Sequence, residues 1–181
     1  MEKELYIKPI KNLLYLMAVL WIIHVLSYFL PVNKYGIIPR EISGLPGIIF
    51  APFLHYDFTH LSTNSVSLFI LGMFLITMEH SRSYWIVSAI IVLGGLGTWI
   101  IGRSGTVHIG ASGVIYGILG FLIVRGLFKR DFKTLLISIV VFFLYCGMIF
   151  GVLPVNFRMS WESHLCGFLS GILLASTYGR K

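Results

Sequence analysis

Uncharged, mostly apolar runs recur along the chain at 13–30, 61–78, 84–101, 109–124, 134–153 and 163–178. A helix needs roughly 17 to 25 such residues to cross a bilayer. Glycines scattered through the runs and the lack of period-two alternation favour helices over a barrel, since each lipid-embedded segment must satisfy its own backbone hydrogen bonds. The pattern predicts an all-α membrane protein, one domain over residues 1–181 with six spanning helices and no internal repeat. The longest connection, 31–58, carries Pro31, Pro39, Pro46 and Pro52 among apolar residues such as Ile37, Ile48 and Ile49. Such a segment is expected to lie at the membrane interface, folded on the protein.

Composition sharpens this. Hydrophobic residues make up 57% of the chain and charged residues 12%, against about 25% charged in a soluble domain. The net charge of +7 would point to nucleic acid only on a solvated basic face; here the charges sit between apolar runs and act as topology signals. With the N-terminus in the cytoplasm, the inner segments hold Lys3, Lys8, Lys11, Arg82, Arg125, Lys129, Arg130, Lys133, Arg180 and Lys181, and the outer ones only Lys34, Arg40, Arg103 and Arg158. That excess puts both termini inside. The first run follows lysines as a signal peptide would, but it is long for a signal core and no A-x-A site follows, so it is read as a span. Cys146 and Cys166 lie in apolar runs and offer neither a disulfide framework nor a metal-ligand spacing, which leaves the redox compartment open.

Polar residues inside spans or at their mouths are costly and therefore informative. His60 and Asn64 fall on the second predicted helix, Ser112 and Tyr116 on the fourth, and His164 on the sixth, all near outer, N-terminal ends. Counted back from the first inner charge at 1.5 Å per residue, Ser112, Asn64 and His164 stand about 20, 22 and 24 Å above the inner boundary. They share one level in the outer third of the membrane. A serine hydroxyl becomes a useful nucleophile when an imidazole takes its proton, so Ser112 and His164 form the minimum pair. His60 and Asn64, four residues apart, face one side of their helix and offer N–H donors for an oxyanion; the Ser112 backbone N–H at a helix start adds a third.

Each residue also has a plainer reading. A serine between glycines can simply permit close helix contact, and His164 can be a satisfied buried histidine. Gly113, Gly117 and Gly120, with Gly167 and Gly171, form small-residue faces that let the fourth and sixth helices pack backbone to backbone. That same packing would bring His164 to Ser112. His108 is read as a loop histidine, His24 as hydrogen-bonded within the bundle, and His80 as lying at the inner end. Glu162, two residues before His164, and Asp57, three before His60, are conceivable carboxylate partners, though a carboxylate at a membrane surface is more often solvated.

Three segments together resemble the rhomboid family of intramembrane serine proteases. Gly110-Ala111-Ser112-Gly113-Val114-Ile115-Tyr116-Gly117 is similar to its nucleophile motif, and His60 to Asn64, preceded by Pro52-Phe53-Leu54-His55, to its His-x-x-x-Asn element. Ser163 to Gly171 is similar to its base-bearing helix. The resemblance covers about residues 13–178. It implies a six-helix rhomboid-like bundle and a Ser-His dyad without a required carboxylate. Ser112 would be the nucleophile and His164 the general base, while His60, Asn64 and the Ser112 backbone would line the oxyanion hole. Tyr116 would stack on and orient His164, and His55 and Gly110 would support the site. It further implies hydrolysis of one peptide bond near the outer end of transmembrane protein substrates, with no metal or cofactor. The family often carries a Trp-Arg pair in the first outer loop; 31–58 holds no Trp, which leaves that loop's anchoring open.

Because a peptide bond within a helix is shielded, the substrate must be admitted and locally unwound. Helix-weakening residues and a small side chain at the cut are expected to favour cleavage. The fifth predicted helix, with Phe142, Phe143, Leu144 and Tyr145, could form a lateral gate, as the resemblance suggests. Three rival classes remain. A non-proteolytic rhomboid-like binding factor usually lacks the nucleophile or base, a transporter places polar groups near the midplane, and a zinc protease needs a His-Glu-x-x-His motif that is absent. The expected setting is a bacterial plasma membrane; substrate and oligomeric state are left open.

Overall fold

The computed structural model describes residues 2–129, 131–155 and 159–177. Of the residues read above, Arg130, Arg158, Arg180, Lys181 and Tyr178, the end of the sixth run, lie outside that range, as does the side chain of Lys3. In chain order the helices are α1 (Glu2–Ser27), α2 (Gly47–Phe50), α3 (Phe58–Glu79), α4 (Ser83–Ile101), α5 (Ser112–Lys129), α6 (Phe132–Tyr145) and α7 (Trp161–Thr177), and a 3-10 helix over Cys146–Val152 continues α6. Among the described residues, the one extended pairing is an isolated bridge between Ile37 and His108. Among the described residues, five stretches are long and apolar enough to cross a membrane: Tyr6–Ser27, Phe58–Glu79, Ser83–Ile101, Ser112–Lys129 and Phe132–Val152. α7 is shorter, at 17 residues.

Helix limits differ from the apolar runs where tertiary contacts intervene. α1 starts well before residue 13 and continues through Pro9, which removes one intrahelical hydrogen bond. α5 runs past Arg125 to Lys129 because Arg125 is not a solvated boundary charge. It is 3% exposed, and its Nε donates to Glu79 Oε1 at 2.7 Å at the end of α3. The pair fixes the C-terminal ends of α3 and α5 at one level. Asn64 stands 15 residues above Glu79 and Ser112 13 above Arg125, about 22 and 20 Å of helix rise, so both reach similar heights.

α5 is the central rod: Ile115, Ile118, Leu119, Phe121 and Leu122 are each at most 1% exposed. α7 is pressed between α4 and α5, α1 packs on α3, and α6 lies against α5 while touching α3 only lightly. Ser138 of α6 enters the α5 backbone, its Oγ donating to Leu122 O at 2.6 Å and accepting from Gly126 N–H at 3.0 Å. Phe143 and Leu144 point outward.

The 31–58 segment folds on the protein as expected. α2 drives Ile48 against α4, where a Cβ at Gly95 would stand 2.7 Å from Ile48 Cγ2. Trp99 of α4 ties this segment to the helix. Its Nε1 donates to Glu41 O at 2.8 Å and its carbonyl accepts from Arg40 N–H at 3.0 Å. The Arg40 guanidinium donates to the carbonyls of Ile100 and Gly102 at 2.8 Å each.

Candidate active site

The α5–α7 contact is made by main chain. A Cβ at Gly167 would overlap the Gly113 carbonyl and one at Gly171 the Gly117 carbonyl; only glycine permits that approach, and small-residue faces are how helices close up in lipid. The approach joins the first residue of α5 to the first turn of α7. Ser112 Oγ lies 2.9 Å from His164 Nε2, and His164 Nδ1 lies 3.0 Å from Gly151 O in the 3-10 helix. A carbonyl only accepts, so Nδ1 carries the proton and Nε2 presents its lone pair to the Ser112 hydroxyl. That is the tautomer a general base requires. Tyr116, one turn beyond Ser112, stacks on the His164 ring with centroids 4.2 Å apart and planes 12° from parallel. Its hydroxyl donates to Met148 O at 2.8 Å.

α3 supplies the facing wall. Asp57 caps this helix by accepting the His60 N–H at 2.7 Å, which fixes where the first turn begins and therefore where His60 and Asn64 point. Gly110 has φ +119°, and a Cβ there would meet His60 Cε1 at 2.7 Å and lie 3.6 Å from Asn64 Nδ2. Both the conformation and the space demand glycine. Asn64 is 7% exposed, and its Nδ2 is buried with no acceptor among the described residues. His55 lies beneath, its ring 5.1 Å from that of His60 and nearly edge-on. Its Nε2 accepts the Ala111 N–H at 3.3 Å, which holds the loop just before Ser112. Burial, helped by the nearby His60, pushes the His55 pKa down to about 4, in keeping with a neutral, accepting ring.

Between these walls is a cavity of about 230 Å³ lined by Tyr56, Asp57, His60, Ile109, Ser112, Met159, Ser160 and His164. At about 30 Å³ per water it has room for several. Arg103 braces its rim, donating from Nε to Glu162 Oε1 at 2.6 Å and from Nη2 to Met159 O at 3.0 Å. Both carboxylates considered as histidine partners are thus engaged elsewhere, Glu162 with Arg103 and Asp57 with the α3 backbone. The acceptor at His164 Nδ1 is instead the Gly151 carbonyl, which sequence reasoning missed along with Met148, because a main-chain acceptor has no side-chain signature. The other histidines stay apart. His108 is buried and meets Thr106 Oγ1 at 3.0 Å, His24 meets Tyr28 Oη at 3.3 Å, and His80 meets Tyr6 Oη at 2.7 Å. Among the described residues no three His, Cys, Asp or Glu side chains are grouped to hold a metal.

The family model described as Rhomboid domain matches residues 40–181, which include Ser112, His164, Tyr116, His60, Asn64, His55 and Gly110. The chain belongs to the rhomboid family. Together with its apolar helices, that makes this rhomboid an integral, multi-pass membrane protein. An uncharacterized protein of Mycobacterium tuberculosis is 44% identical over 148 residues, covering 77% of this chain and 62% of that protein. One from Mycobacterium leprae is 38% identical over 174 residues, 91% of this chain and 69% of that protein. The Bacillus subtilis protein YdcA, named as a candidate rhomboid protease, is 30% identical over 128 residues, 67% of this chain and 61% of that protein. The rhomboid chain therefore spans less than two thirds of the length of several relatives it matches.

Proposed function

We propose that this rhomboid is an intramembrane serine endopeptidase that cuts transmembrane protein substrates near their outer ends. The observation that carries the reading is the 2.9 Å contact between Ser112 Oγ and a His164 whose other nitrogen is held by Gly151 O. In the reaction, His164 Nε2 takes the Ser112 proton as Oγ attacks the scissile carbonyl, and the ring returns the proton to the leaving amine. Water from the cavity then releases the acyl group by the same steps reversed. The oxyanion is met by the Ser112 N–H, which as the first helical residue has no intrahelical acceptor, and by the Asn64 amide and the His60 ring. Each such donor is worth roughly 10²- to 10³-fold in rate. Tyr116 and His55 position the machinery without touching the substrate.

The proposed setting is a single domain crossing a bacterial plasma membrane six times, α7 being the sixth span, with both termini cytoplasmic and the cavity open to the outside. The bacterial relatives and the excess of Lys and Arg at the inner ends support it. The deciding experiment is cleavage of tagged single-span substrates in liposomes by wild type, Ser112→Ala and His164→Ala, alongside fluorophosphonate labelling. Product and label confined to wild type are expected. Equal product from all three overturns the dyad and leaves a non-proteolytic, rhomboid-like binding factor as the reading.

A further inference from the structure

We infer that the 3-10 helix Cys146–Val152 is a positioning element of the dyad, through the Gly151 and Met148 carbonyls, and that displacement of α6 disables the chemistry by withdrawing them. The inference deepens the proposed proteolytic role and rests on it. Both groups that flank the reaction are tied to this one short segment. Gly151 O holds His164 Nδ1 at 3.0 Å, and Met148 O holds the hydroxyl of Tyr116 at 2.8 Å. The fit is close: a Cβ at Gly151 would overlap the Tyr116 hydroxyl and stand 3.6 Å from His164 Nδ1. An aspartate in this place would orient the ring with a charge. Here a neutral carbonyl does so, and it is correct only while the segment keeps its present position.

That position depends on α6. The segment follows Tyr145 without a break, so a shift of α6 moves both carbonyls. Seven residues is long for 3-10 structure, which rarely exceeds three or four residues. α6 is held by α5 and touches α3 lightly, leaving its α3 side as the one free to part. If α6 moves outward to admit a substrate, Nδ1 loses its acceptor, the proton redistributes between the ring nitrogens, and Nε2 ceases to be a dedicated acceptor for Ser112. Attack then waits until the segment is seated again over the bound substrate. Opening and chemistry become mutually exclusive, so Ser112 is least reactive when the site is most open to lipid and water.

The test weakens one carbonyl without altering a side chain. Replacing Val152 by its α-hydroxy acid turns the Gly151 carbonyl into an ester, a poorer acceptor; Gly151→Ala, which must push the segment off Tyr116, is the encoded counterpart. Three readouts apply to protein shown to be folded by its unfolding transition: fluorophosphonate labelling of Ser112, which needs no substrate admission; cleavage of a single-span substrate; and the ¹⁵N spectrum of the His164 ring. The expected result is that labelling and cleavage fall together by roughly 10- to 100-fold, less than the ~10⁴-fold of a wholly wrong tautomer, and that an Nε2–H population emerges. Loss of cleavage with labelling and spectrum unchanged would show a gate uncoupled from the dyad and overturn the inference, as would no change at all. A wild type that neither labels nor cleaves overturns the proteolytic role instead, while the spectrum still decides whether Gly151 sets the tautomer.

Discussion

Removing the Arg103 guanidinium tests how the two halves of the site are kept in register. Arg103 belongs to the loop that leads into Ser112, and Glu162 to the first turn of α7, two residues before His164. Glu162 is fully buried at 0% exposure while the Arg103 side chain is 31% exposed. Arg103→Ala therefore leaves a carboxylate with no water and without its guanidinium, and it frees Met159 at the cavity rim. Breaking a buried pair from one side costs about 3 to 5 kcal/mol, and partial exposure of the arginine puts this case at the lower end. The double variant Arg103→Ala/Glu162→Gln removes the stranded charge and should regain more than half of the loss. Unfolding free energies in mild detergent for wild type, both singles and the double give the coupling directly. Cleavage rates should follow the same order, since a displaced α7 start carries His164 away from Ser112. A cost below about 1 kcal/mol for Arg103→Ala, the range of exposed pairs, or a double variant no more stable than the single, would refute the reasoning.

Other outcomes follow from the same contacts. In Gly171→Leu the new side chain would occupy the Gly117 carbonyl's place, so helices α5 and α7 must separate; activity should vanish, and an engineered disulfide scan should report a wider α5–α7 spacing. Glu79→Gln leaves Arg125 buried at 3% exposure without its carboxylate and should cost about 3 kcal/mol or more, read from denaturant unfolding. His55, held at about 4 against an ordinary 6.5, contributes stability that is intact above pH 6.5. Below that the unfolded chain takes up a proton that the folded one refuses, so the contribution falls with pH and is lost below 4, a change of about 3 kcal/mol. Unfolding followed from pH 7 to 4 should show this slope, and His55→Asn should flatten it.

How far the sequence reached depended on the kind of interaction. Helices α1 and α3 to α7 were legible because lipid imposes one rule, an uninterrupted apolar run with internal hydrogen bonding. Ser112, His164, His60 and Asn64 stood out because polar groups in such runs carry a cost that needs a reason. The glycines of α5 and α7 announced a close contact for the same local reason, a missing Cβ. What the chain could not reveal alone was which partner each group would choose. Arg125 reads as a solvated boundary charge until Glu79 is found beside it, and Glu162 reads as a partner for His164 until Arg103 claims it. Trp99 anchors a loop more than 50 residues earlier in the chain, and the tautomer of His164 is set by the main chain of Gly151, where every residue type offers the same carbonyl. Hydrophobic period and residue chemistry are properties of short stretches and survive in one dimension; the pairing of charges and the aim of a carbonyl are distances between stretches, and only the folded chain assigns them.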